Sequence, residues 1–176
     1  MSDPADLLLR VSGTPAPQGS KSGFIVTPKG GKPRVVITDG KKGSPGKLAL
    51  DKWREAVSAA GRDWMRAHDD PPLLDGPLIL WATFWLPLPS TAPRWRWLPW
   101  SKPDADKLLR ATLDGLSKVV YADDARVVEL HVRKLYALGR GPGAVIRIRP
   151  VGELERELGT AWVAAGCPLD ALPHLP

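Results

Sequence analysis

Cysteine is nearly absent from this chain. Cys167 stands alone among 176 residues, so neither an internal disulfide nor a thiolate zinc cluster can form within one copy. The three histidines, His68, His131 and His174, show no metal-ligand spacing, and with the missing disulfide this points to a reducing intracellular setting. No stretch approaches the ~18 apolar residues of a membrane span. The opening MSDPADLLLRVSG carries neither a basic leader nor an apolar run of signal-peptide length. A cytoplasmic protein that engages no membrane and no small-molecule cofactor is therefore expected. Internal repeats are also lacking.

What is abundant is positive charge, proline and glycine. Lys and Arg outnumber Asp and Glu by 25 to 19, for a formal +6 and a pI near 9.7, which favours polyanionic partners in a general way. The 19 prolines and 17 glycines cluster between periodic segments, so they read as loops of a folded domain. The length suits one domain, placed at residues 1–150, with a tail at 151–176 that holds a possible short helix, Glu153 to Ala165, and then coil.

Short apolar runs bounded by Gly and Pro predict strands at Leu7–Val11 and Leu78–Leu86. Phe24–Val26 and Arg34–Ile37 predict a hairpin across Lys29-Gly30-Gly31-Lys32. From Lys47 to about His68, started by Ser44 or Pro45, Trp53, Val57, Ala60 and Trp64 form one helical stripe. A second helix is expected from about Asp104 to Val119, with Leu109, Leu113, Leu116 and Val120 packed and Lys107, Arg110, Asp114 and Ser117 on another face. The segment Arg126–Tyr136 alternates, with Val128, Leu130 and Val132 on the covered side, and it is expected to pair as an antiparallel hairpin with the closing AVIRIR. The fold class is thus mixed α/β (α+β), a small mixed sheet packed against two main helices.

The segment KPDADKLLRATLDGLSKVVYADDARVVEL, residues 102 to 130, holds the chemistry. Asp104 and Asp106 open the second helix and Asp123-Asp124 follows it. A helix of ~16 residues is about 24 Å long, so Asp124 meets Asp104 only if the chain doubles back. Convergent carboxylates repel one another unless a cation sits among them. Mg²⁺ suits such a site because it takes oxygen ligands and completes its shell with water and substrate phosphate; Mn²⁺ can substitute. Taken singly, Asp104 also reads as an N-cap, Asp123-Asp124 as a solvated turn, and Asp114 as a structural partner of Arg110. An Asp-x-Asp glycosyltransferase motif would leave the later acids unexplained. An EF-hand is excluded by Leu108 and Leu109, which stand where an oxygen ligand and a glycine are needed.

A basic-Pro-Asp-x-Asp start, a Leu-bearing helix and an aromatic-x-Asp-Asp before an alternating strand together resemble the RusA-like family of Holliday junction resolvases (crossover junction endodeoxyribonucleases). The opening loop Gly13–Lys21 looks like that of phage and prophage members, and the closing Ile146-Arg147-Ile148 strand supports the resemblance to the family. The resemblance implies that Asp104, Asp106 and Asp124 bind the metal, with Asp123 a lesser candidate. It implies that Arg110 stands where the family carries lysine, keeping charge for the phosphate but unable to serve as a proton donor. It also places Lys107 where the family has asparagine. That lysine either grips the scissile phosphate, the favoured reading, or pairs with Asp104 and competes with the metal.

DNA contacts are expected from Arg94, Arg96, Lys102, Lys107 and Lys21, with Lys29, Lys32, Lys41 and Lys42 extending the basic surface. Trp95, Trp97 and Trp100 interleave with the cations of RWRWLPWSK and read equally as base-stacking or packing residues, whereas Trp81 and Trp85 read as core. The expected partner is branched DNA, above all a four-way junction, and the expected assembly a homodimer, since a near two-fold junction must be cut twice. The alternative is a protein that binds branched DNA through a degenerate site without cutting it.

Overall fold

Leu78–Leu86 (LILWATFWL) carries no charge, and a strand of that kind is stable only where both hydrogen-bonding edges are occupied. The chain meets this demand by setting it inside a sheet. The computed structural model describes residues 6–19, 22–38, 43–93 and 95–152, with Arg156, Glu157, Thr160 and Ala164. Its strands are β1 (Leu7–Ser12), β2 (Ser22–Val26), β3 (Arg34–Thr38), β4 (Leu78–Leu86), β5 (Val127–Tyr136) and β6 (Gly143–Pro150). The helices are α1 (Pro45–Ala67) and α2 (Ala105–Leu116), and a 3₁₀ turn spans Asp124–Arg126. The main sheet runs β1-β6-β4-β5, with β6 antiparallel to both neighbours and β5 parallel to β4. The hairpin β2–β3 is a two-stranded sheet of its own, turning at Gly30 with φ +81°. This is the mixed α/β fold that the periodicities predict. Of the tail, the expected helix Glu153 to Ala165 falls for the most part outside the described residues.

The antiparallel pairing expected between β5 and β6 does not occur, because β4 lies between them. Burial decides the order. Ala144, Ile146 and Ile148 of β6 are buried, whereas β5 carries Glu129, His131 and Arg133 and accepts an edge, where charge is tolerated. On β5, Leu130 and Val132 do align with Leu80 and Ala82, but a register irregularity beside Leu78 takes Val128 out of the alternation. Val128 is 64% exposed and Leu130 44%, so the expected covered face is covered only from Val132 onward.

Helix α1 begins as expected, with Ser44 as N-cap accepting from Lys47 N–H and Pro45 at the first position. It buries Leu50, Trp53, Val57, Gly61 and Met65, while Ala60 and Trp64 pack at the margin. Helix α2 buries Leu108, Ala111, Thr112, Gly115 and Leu116, and stops at Leu116, three residues before the predicted end. Val119 N–H and Val120 N–H both donate to Leu116 O, and Lys118 takes φ +61°, which ends the helix and seats Val120 and Tyr121 in the core. The two helices meet closely at Gly115, where a Cβ would lie 3.1 Å from Arg54 O and from Val57. Trp53 donates its indole N–H to Thr112 Oγ1 (3.2 Å), which satisfies two polar groups inside this contact.

Trp81 and Trp85 are not core residues. They are half-buried on the sheet face that alternates with the buried Leu80, Ala82, Phe84 and Leu86. Arg147 and Arg149 lie over Trp81, His131 stacks beside it, and Arg140 lies 3.8 Å from the Trp85 ring centre. Cation-π contacts cover these rings where an apolar layer is lacking.

Candidate active site

The first acids are placed by the start of α2. Asp104 is its N-cap, with the extended backbone (φ −71°, ψ 142°) that a cap requires, yet its side chain makes no capping hydrogen bond. The carboxylate turns instead to Lys107, one turn on, at 3.0 Å. The ammonium of Lys107, by hydrogen bond and by charge, holds the Asp104 carboxyl below the usual carboxylate range, and Lys102 and Lys134 add to this from further off. The ion pair with Asp104, one of the two roles expected for Lys107, is formed, and the grip on a scissile phosphate belongs to a complex with DNA. Asp106 lies in the first turn of α2, exposed, and among the described residues no hydrogen bond or ion pair engages its carboxylate. Arg110, a turn later, is likewise exposed and points its charge from the same helix.

Asp114 is structural, as expected, but its partner is Arg54 of α1 and not Arg110. Between them sits Gln18, buried, its amide nitrogen 3.0 Å from Asp114 Oδ2 and its oxygen 3.3 Å from Arg54. The Gln18 backbone N–H also donates to Lys107 O (3.0 Å). The Pro-rich loop of residues 13–19 is thus tied to α2 beside the acids, a role the sequence does not signal. Lys134 is a second addition. Its Nζ donates to Ser101 O (2.7 Å) and Pro103 O (2.9 Å), bracing the chain that enters Asp104. One signal was available: Lys134 occupies the inward phase of β5, between Val132 and Tyr136, where an ammonium needs acceptors.

The later acids lie elsewhere. Asp123 accepts a hydrogen bond from Ala125 N–H (2.9 Å) and caps the 3₁₀ turn, so its carboxylate is committed, whereas that of Asp124 is exposed and has no such bond among the described residues. Asp124 precedes β5, and Lys134 near the end of β5 touches the start of α2. The seven residue steps from Val127 to Lys134 span ~23 Å at ~3.3 Å each. The chain does double back after α2, but in doing so it sets Asp124 at the far end of the helix from Asp104. Among the described residues no cluster of three metal-ligating side chains forms within one copy.

The approach to the acids is basic and aromatic. Lys102 is exposed, and Trp95, Trp97 and Trp100 are exposed as well, with the Arg96 guanidinium 4.0 Å from the Trp100 ring centre. Arg94, Lys21, Lys41 and Lys42 lie outside the described residues. Lys29 and Lys32 are exposed on the hairpin loop.

No described helix is long and apolar enough to cross a membrane. Over 133 residues the chain is 28% identical to YqaN of Bacillus subtilis (strain 168), an uncharacterized protein; the match covers 69% of this chain and 88% of that one. The family pattern described as endodeoxyribonuclease RusA matches residues 26–149, which take in both helices, β3 to β5, nearly all of β6, and every one of the acids above, though not the loop of residues 13–21. The chain belongs to the RusA endodeoxyribonuclease family.

Proposed function

We propose that this protein is a Mg²⁺-dependent, structure-specific endonuclease that resolves Holliday junctions and related branched DNA by paired phosphodiester hydrolysis, in recombination, repair or phage DNA processing. The observation that carries the proposal is the pair Asp104 and Asp106 at the exposed start of α2, within a basic surround, in a chain of this family. Two carboxylates with open solvent beside them fit Mg²⁺, which commonly takes one or two carboxylates and fills its shell with water and substrate phosphate; Mn²⁺ fits the same donors. When bound there, the ion supplies a nucleophilic water and neutralises phosphate charge. The protein's own part is to aim the carboxylates through the Lys134 brace, and to hold the scissile strand by Lys102 and Arg110.

Asp124 enters this site from a second copy. Strand β5 is an edge of the sheet, and it exposes Val128 and Leu130. Two copies pairing antiparallel along β5 set the beginning of one strand against the end of the other, so Asp124 of the partner subunit approaches Asp104 and Asp106. A homodimer then carries two sites, as two cuts in a junction demand.

A second reading has its own observation. Lys107 occupies Asp104. If that pair outcompetes the metal, the protein binds branched DNA and does not cut it. Cleavage of a labelled four-way junction and a matched linear duplex, with Mg²⁺ or EDTA, separates the two readings. Paired nicks in the junction alone, dependent on metal and abolished by Asp106→Asn, are expected; tight junction binding with no cleavage at any Mg²⁺ or Mn²⁺ concentration establishes the second reading instead.

A further inference from the structure

The loop that delivers the chain to Asp104 exposes three indole rings, Trp95 at 72%, Trp97 at 58% and Trp100 at 68%. Three large rings held in water along six residues of chain suit an interaction surface. The rings rise from a braced segment. Tyr136 N–H donates to Trp97 O (3.0 Å), and Lys134 holds the carbonyls of Ser101 and Pro103. Their surroundings carry one sign of charge: residues 88–103 include Arg94, Arg96 and Lys102 and no carboxylate. Flat π surfaces among cations suit a polyanion that presents flat faces of its own, which is a nucleic-acid strand with unpaired bases. A continuous duplex hides those faces in its stack, whereas a branch point opens them.

We infer that Trp95 and Trp97 form a stacking platform for unpaired or unstacked DNA bases, and that this platform selects branched over linear DNA. Trp100 lies on the same loop, with the Arg96 guanidinium already over its ring. The chain from Trp97 to Asp104 spans at most ~25 Å, so a base on the platform lies within a few nucleotides of a phosphate held at the acids. The inference rests on the nuclease reading for its use, but stacking is measurable where nothing is cut.

The test is binding in EDTA of three probes: a four-way junction with 2-aminopurine at the branch, a matched linear duplex, and a single-stranded oligonucleotide. Wild-type protein is expected to change the 2-aminopurine emission. Trp95→Ala with Trp97→Ala should abolish that change, weaken junction and single-strand binding by about tenfold or more, and leave duplex affinity unchanged. Trp95→Phe with Trp97→Phe, which keeps two rings, should retain most of the binding. The rings are exposed, so neither variant empties the core, and circular dichroism verifies the fold. Equal loss on all three probes, no loss on any, or a change confined to oligomeric state by sedimentation overturns the inference. Should the protein never cut a junction in Mg²⁺ yet bind single strands through these rings, the inference stands and the nuclease reading fails. Should it cut junctions while the alanine variant binds and cuts them as well as wild type, the platform alone fails.

Discussion

At the scale of single residues, the chemistry turns on which carboxylates are free. Asp123 is spent on a turn and Asp114 on Arg54, while among the described residues no cation or donor is bound to Asp106 or Asp124. Asp104 is intermediate, because Lys107 holds it. An ion that takes the same oxygen of Asp104 competes with that ammonium. Lys107→Asn removes the competitor and keeps a short polar side chain at the position. Cleavage measured across a Mg²⁺ titration is expected to reach half its maximum at several-fold lower Mg²⁺ in this variant. A higher requirement would mean that Lys107 serves the phosphate more than it obstructs the metal.

Elements position these residues, and two contacts between elements are open to test. Gly143 begins β6 beside β1, and a Cβ there would lie 2.3 Å from Val11 O, a backbone atom that cannot step aside. Gly143→Ala is expected to destabilise the fold by about 1–3 kcal/mol, the usual cost of overpacking, read from urea denaturation. The second contact is Lys134 against the segment entering α2. Lys134→Met removes two hydrogen bonds and lets Asp104 drift, and misplacing a reacting group by an ångström costs roughly a hundredfold in rate. Cleavage should fall by about ten- to a hundredfold with junction affinity nearly unchanged, and Lys134→Arg, which can still donate to both carbonyls, should recover much of it. An arginine variant as slow as the methionine variant would show that the brace is not what matters.

For the whole molecule, the decisive feature is the ~23 Å run of β5 between the two ends of the acid set. A site shared across a two-fold axis predicts complementation. Asp106→Asn and Asp124→Asn proteins are each expected to be inactive on junctions. Mixed and allowed to exchange subunits, they should regain cleavage, because one site of each heterodimer then combines an intact Asp104 and Asp106 with Asp124 of the partner subunit. Such heterodimers hold a single complete site and should release nicked junctions more than resolved duplexes on a denaturing gel. No recovery on mixing would place all three acids within one copy.

Much of this was legible along the chain, since it depends on local chemistry. Period and punctuation located six strands and two helices, because apolar spacing, Ser44-Pro45 and the Gly30 turn act over a few residues. The motif around Asp104, Asp106 and Asp124 was legible too, as was the family to which it belongs. What the sequence did not determine was everything set by competition between distant segments. Which of β5 and β6 lies beside β4 on each side was settled by burial, with Ile146 and Ile148 claiming the interior and β5 left at an edge. The short return of the chain after α2, with Tyr121 OH donating to Leu113 O, put Asp124 and Asp104 at opposite ends of α2. Gln18 and Lys134 became parts of the site only when folding brought them to Lys107 and Pro103, because a polar side chain excluded from water takes whatever partner the packing supplies.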